Sequence, residues 1–156
     1  MAWAFMSGNS EPSLSARAMR LLARREHSRA ELKRKLEPLA GEGDDLEILL
    51  DELAQRGWLS DSRYAEQSVR AKAQRYGPLK VAHALRAKGV GDETIAAAFR
   101  AAGSEGLSNL EAVWKSHFKA LPADERERAR QVRFLQARGF PLEEVLRYLR
   151  QREKER

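Results

Sequence analysis

LRAKGVGDETIAAAF, residues 85–99, returns fifty residues later as LQARGFPLEEVLRYL, residues 135–149. Leu85, Gly89, Val90, Ile95 and Phe99 match Leu135, Gly139, Phe140, Val145 and Leu149 at identical offsets. The physical sense is direct. A helix carrying Leu85 ends on a glycine that accepts positive φ; the apolar residue after it seals the corner. The next helix then folds back with Ile95 and Phe99 against Leu85. A fainter copy begins 49 residues upstream, where Leu36, Leu46 and Leu50 keep the offsets and the glycine falls one place late. Regular spacing of this kind marks a helical repeat array.

Working outward, the whole chain reads as helix. No segment alternates apolar and polar residues, and Val, Ile and Thr are sparse. Breakers cut the chain into nine helical pieces. Ser28-Arg-Ala-Glu31 and Ser108-Asn-Leu-Glu111 are capping boxes. Pro38 should end or kink its helix, Asp44 or Asp45 should cap the next, and Gly57 should stop it. A helix from Asp61 should run to about Tyr76, and Pro78 should open another. Gly103, Gly139 and Pro141 divide the remainder. The expected organisation is all-α: three tandem three-helix repeats in an elongated curved array. The repeats occupy 14–60, 61–103 and 104–156, behind a disordered or loosely docked tail at 1–13. Three modules of ~10 Å radius of gyration would make a rod about 75 Å long.

The chain has 156 residues, 42% of them apolar and only 7% aromatic. Much of the apolar content is alanine, which packs helices closely but buries little area, as thin modules require. The absence of cysteine excludes disulfides, thiolate metal sites and cysteine nucleophiles, and fits a reducing compartment. MAWAFMSGNSEPS lacks the basic and apolar regions of a signal peptide, and no run is long enough to span a membrane. A cytoplasmic monomer without cofactors is expected. Trp3 and Phe5 should dock onto the first helices; Trp58 and Trp114 should be core or module-joint residues.

The net charge is +6. Residues 63–88 hold seven bases and one acid, so this stretch alone carries a net +6. On the helix after Asp61, helical spacing turns Ala65, Ser68, Val69, Ala73 and Tyr76 inward. It turns Arg63, Gln67, Arg70 and Gln74 outward. On the next helix Val81, Ala82 and Leu85 face in, while Lys80 and His83 face out, flanked by Arg86 and Lys88. Arg63, Arg70, Lys72, Arg75, Tyr76, Lys80, Arg86 and Lys88 are therefore the candidate binding residues. Tyr76 suits base stacking, or packing over the Gly77-Pro78 turn. Such a face fits nucleic-acid phosphates or an acidic protein surface, and both predict salt-sensitive binding.

Catalytic signatures are missing. His27, His83 and His117 make no metal-ligand spacing. His27-Ser28 suggests a nucleophile, but the capping box already accounts for Ser28. Gly41-Glu-Gly43 lacks the Lys-Ser/Thr of a phosphate loop. The sequence reads as a non-enzyme.

Four phrases carry a resemblance: RREHSRAELKRKL (24–36), LAQRGWLSDSRYAEQSVRAK (53–72), RYGPLKVAHALRAKGV (75–90) and FLQARGFPLEEVL (134–146). Together they resemble the RecX family of bacterial regulators of the RecA recombinase. The most specific residues are Asp61-Ser-Arg-Tyr-Ala and Tyr76-Gly77-Pro78. The resemblance spans about 15–150 and implies three three-helix modules. It also implies binding in the helical groove of RecA filaments on DNA, with suppression of ATP hydrolysis and strand exchange. The residues alone leave two other readings open: a stand-alone helical DNA-binding protein and a protein-only helical adaptor.

Overall fold

The computed structural model describes residues 11–106 and 109–156. Ser108 of the second capping box lies outside them, as does the tail up to Ser10 with Trp3 and Phe5. The described residues form nine α-helices, one 3₁₀ turn and no strand. Two compact units divide at Ser60/Asp61.

The first unit contains α1 (Leu14–Arg24), α2 (Arg29–Leu36), a 3₁₀ turn (Glu37–Leu39) and α3 (Leu46–Gln55). Each helix starts on a polar side chain. Ser13, Ser28 and Asp45 accept the backbone N–H groups of Ala16, Glu31 and Ile48, satisfying donors that the first turn leaves open. Leu14, Ala18, Leu32, Leu36, Leu50, Leu53 and Leu59 form the core. Pro38 diverts the end of α2 into the 3₁₀ turn, so this corner lacks the glycine turn of the later repeats. That difference explains the faintness of the first copy. Arg29 bridges Glu47 (3.0 Å) and Asp51 (2.7 Å), and Lys33 reaches Glu47 (2.6 Å), so ion pairs join α2 to α3. Lys33 and Arg29 hold the Glu47 carboxyl below its ordinary value. Trp58 departs from its expected burial: it is 44% exposed, with the Arg56 guanidinium 5.3 Å from its ring centre.

The second unit contains α4 (Asp61–Lys72), α5 (Pro78–Ala87), α6 (Asp92–Gly106, broken at Gly103, whose φ is 54°), α7 (Leu110–His117), α8 (Glu125–Ala137) and α9 (Leu142–Lys154). It has two cores. The first joins Ala65, Val69, Val81, Leu85, Val90, Ile95, Ala98 and Ala102 from α4–α6. Alanines at 65, 98 and 102 let α4 and α6 approach closely. The second core joins Leu110, Val113, Trp114, Phe118, Leu135, Phe140, Val145 and Leu149 from α7–α9. The buried indole N–H of Trp114 donates to Gln131 Oε1 (2.8 Å), and Gln131 donates to the Ala120 carbonyl (3.1 Å). These two bonds satisfy the Trp114 and Gln131 side chains, while the buried Tyr148 hydroxyl beside them has no hydrogen-bond partner among the described residues.

The repeated residues do the same work in both cores. Gly89 and Gly139 have φ of 79° and 98°. Val90 N–H bonds back to the Leu85 carbonyl and Phe140 N–H to that of Leu135, both at 3.1 Å. Each corner closes its helix and buries the following apolar residue.

One expected boundary moves. The helix after Asp61 ends at Lys72 instead of about Tyr76, and residues 73–76 form a turn. That turn releases the Gly77 N–H, which donates to the Arg138 carbonyl (2.7 Å); Leu79 N–H donates to the Gly139 carbonyl (3.0 Å). The open N–H groups at the start of α5 thus meet open carbonyls at the end of α8. The approach is too close for side chains. A Cβ on Gly77 would lie 2.5 Å from the Gly139 carbonyl carbon and oxygen; one on Gly139 would lie 2.5 Å from Lys80 Cβ.

Gly77→Ala should therefore destabilise the second unit by about 2 kcal/mol or more, the scale of overpacking against backbone. Gly91→Ala meets nothing within 4 Å and should change stability by under ~0.5 kcal/mol. Urea unfolding of both variants, followed by circular dichroism, checks the contrast.

Candidate partner-binding surface

Of the predicted outward residues, Arg63, Gln67 and Arg70 on α4 and Gln74 in the turn are all exposed. Ala65, Val69 and Ala73 are buried, as their helical spacing requires. Lys80, His83 and Arg86 are exposed on α5, while Lys72 and Lys88 are half-buried.

The candidates fall into two groups at opposite ends of the α4–α5 hairpin. Arg70, Lys72, Arg75, Tyr76 and Lys80 gather around the turn between the helices. Arg63 begins α4, while Arg86 and Lys88 close α5; Arg63 and Arg70 are about 10 Å apart along the helix. The groups differ electrostatically. Arg86 Nε pairs with Asp92 at 2.7 Å, and Arg63 and Lys88 are also engaged by other groups. Arg70, Lys72, Arg75 and Lys80 form no ion pair among the described residues. The turn is thus the end that retains uncompensated positive charge.

Tyr76 is half-buried against the α4–α6 core, with Lys80 Nζ 4.6 Å from its ring centre. It packs over the turn, and the other edge of the ring meets the next repeat. There the Arg138 guanidinium lies 5.9 Å from Tyr76 and 5.0 Å from Phe134. Arg138 belongs to this surface and escaped the sequence reading. A signal for it existed: Arg138 precedes Gly139 as Lys88 precedes Gly89 in the repeat. What sequence could not supply was the contact between Gly77 and Gly139, which places Arg138 beside Tyr76.

The His27-Ser28 pair is bound into the local structure. Ser28 Oγ accepts the Glu31 N–H at 3.1 Å. His27, 1% exposed, lies with Nδ1 3.0 Å from the Arg25 carbonyl and Nε2 3.1 Å from Lys35 Nζ. Lysine has no acceptor, so Lys35 donates to Nε2 and Nδ1–H donates to the carbonyl, which describes a neutral imidazole. Burial pushes the His27 pKa down, with Arg25 and Lys35 adding to the effect against the backbone bond and Glu31. No group of three or more histidine, cysteine, aspartate or glutamate side chains among the described residues could hold a metal ion. None of their helices is long and apolar enough to cross a membrane.

Three-helix domains, with basic residues gathered around one turn, define a helical-repeat protein. Comparison with known proteins names the particular kind. Residues 60–98 match the family model for the second three-helix domain of RecX, and residues 104–149 match that for its third. The regulatory protein RecX of Chromobacterium violaceum is 43% identical over 137 residues, covering 88% of this chain and 89% of that protein. RecX of Herbaspirillum seropedicae is 47% identical over 130 residues, with 82% and 83% covered. The crystal structure of RecX from Lactobacillus salivarius shares the fold, with a TM-score of 0.68 at 20% identity, covering 87% of this chain and 94% of that one. A second RecX crystal structure gives 0.71 at 19% identity, covering 88% and 71%. The chain belongs to the RecX family of regulatory proteins.

The buried histidine makes acid sensitivity predictable. A folded pKa below the unfolded value means that the unfolded chain takes the proton first. Stability should therefore fall as pH drops below about 6.5, the ordinary histidine value. Urea melts at pH 7.5 and 5.5 should show a larger loss for the native chain than for His27→Gln.

Proposed function

We propose that this protein binds RecA filaments assembled on DNA and restrains their ATP hydrolysis and strand exchange. The observation that carries the reading is the uncompensated basic group at the α4–α5 turn: Arg70, Lys72, Arg75 and Lys80. Family membership supplies the regulatory role, and the relatives named above are regulatory proteins. A nucleoprotein filament presents phosphates and protein carboxylates together, so one basic surface can engage both. Its repeating subunits offer successive modules successive contacts. After the first contact the later ones are effectively intramolecular, and affinity for the filament exceeds affinity for a single subunit. Inhibition then follows from bridging subunits or from occupying the groove where a second DNA enters. The protein acts in the cytoplasm, as a monomer and without a cofactor.

The test is RecA ATPase activity on single-stranded DNA, titrated with this protein. The native chain should inhibit. Arg70→Glu and Arg75→Glu should each raise the half-inhibitory concentration several-fold and flatten its salt dependence, with helical content unchanged. Tight binding to duplex DNA without RecA would favour the stand-alone DNA-binding reading. Filament inhibition with no DNA affinity at low salt would favour the protein-only adaptor. Equal affinity for isolated RecA subunits and for filaments would remove the bridging argument.

A further inference from the structure

The second unit contains an array that the basic-turn reading does not use. Arg130 and Phe134 on α8 and Arg138 at its C-cap recur at steps of four, so they share one stripe. The His117 ring stacks on Phe134, with centroids 4.0 Å apart and planes within 9°. Arg138 lies between Phe134 (5.0 Å) and Tyr76 (5.9 Å), and Lys80 lies over the far side of the array at Tyr76 (4.6 Å). Read from α5 to α7, the order is cation, ring, cation, ring, ring. It crosses from one core to the other at the point where Gly77 and Gly139 touch.

The array has the composition of a site for a strand with exposed bases. Lys80 and Arg138 form no ion pair among the described residues. Arg130, at the other end of the stripe, is paired with Glu127 (3.2 Å) and lies 5.6 Å from the Phe118 ring centre, so the unpaired cations of the array are Lys80 and Arg138. His117, the outermost member of the stack, is exposed. The stripe from Arg130 to Arg138 extends about 12 Å before the array continues onto α5. Cations following a phosphate backbone, interleaved with rings on which bases stack, are how proteins hold single strands without reading sequence. A duplex hides its base faces, and an acidic peptide would use the cations while leaving the rings idle.

We propose that Lys80, Arg138 and His117, held in place by the Tyr76 and Phe134 rings they cover, form a track for single-stranded nucleic acid across the joint between the second and third three-helix domains, with His117 as the face on which a base stacks. This deepens the filament reading above by naming the nucleic-acid form engaged and the place where it lies.

The test uses the full chain without RecA, so it stands or falls apart from that reading. Fluorescence anisotropy compares a labelled oligothymidylate, an abasic strand of equal length, a duplex and polyglutamate at one salt concentration. The base-bearing strand should bind at least about fivefold more tightly than the abasic one, the effect of a single stacked base. His117→Ala should shrink that ratio several-fold while leaving the melting temperature and salt dependence unchanged. Arg138→Gln should weaken both strands. Equal affinity for abasic and base-bearing strands overturns the proposal. So does a ratio unmoved by His117→Ala, a preference for duplex or polyglutamate, or no binding at all. A chain that inhibits RecA yet shows no base preference retains the filament reading and loses this one. A chain with the preference and no effect on RecA does the reverse.

Discussion

Two stretches of bare backbone in contact set the geometry of the second unit. The α5 N-terminus and the carbonyls after α8 satisfy each other through Gly77, Leu79, Arg138 and Gly139. Pro78 stands between the two donors and has no N–H to leave unpaired. Its fixed φ starts the helix, while its neighbours on either side make the bonds. Both glycines are required for steric reasons, and Gly139 also needs its positive φ. Because of this contact, residues 61–156 form one compact unit despite containing two cores. The same contact sets Arg138 against Tyr76.

Charge is handled differently in the two units. Residues 14–36 hold eight bases and two acids, and residues 37–56 hold seven acids and one base, so net +6 is followed by net −6. Arg29 and Lys33 meet Glu47 and Asp51 across that divide, while Arg25 and Lys35 flank the buried carboxylate of Glu31. The solvent-facing pairs of Arg29 and Lys33 with Glu47 and Asp51 contribute little stability individually. Their larger effect is to neutralise the local field. Around the α4–α5 turn no such partner meets Arg70, Lys72, Arg75 or Lys80 among the described residues. Total charge therefore understates the local difference: among the described residues five of the eight bases in 14–36 meet a carboxylate, while Arg20, Arg24 and Arg34 stay exposed without one, and none of the four bases at the turn meets one.

Local chemistry was legible where one residue sets one backbone feature. Gly89 and Gly139 announced their corners, Ser28 and Asp45 their caps, and Leu85, Ile95 and Val145 their burial. Helical spacing also put Arg63 and Arg70 outside correctly. Failures came where a distant partner decides. Helical spacing runs α4 on to Tyr76; in the structure it ends at Lys72, and Gly77 beyond the turn bonds to Arg138, sixty-one residues away. Arg86 looked equivalent to Arg70 until Asp92, at the start of the next helix, reached it. Trp58 reads as a core or module-joint residue because apolar area favours burial, yet it is exposed with Arg56 beside its ring.

The close joint bears on binding as well as on folding. A flexible link between the two three-helix domains would have to be ordered whenever one partner touched both, at a cost that weakens affinity. Here the ordering is done during folding. Gly77 and Gly139 exclude side chains from the joint, so the separation of Lys80 from Arg138 is fixed by backbone hydrogen bonds and not by adaptable packing. A rigid span of cations suits a partner whose charges also come at regular intervals, since each correct contact brings the next into place. The least adaptable residues of the chain, two glycines and a proline, thereby hold its most adaptable ones, lysine and arginine, at a constant spacing.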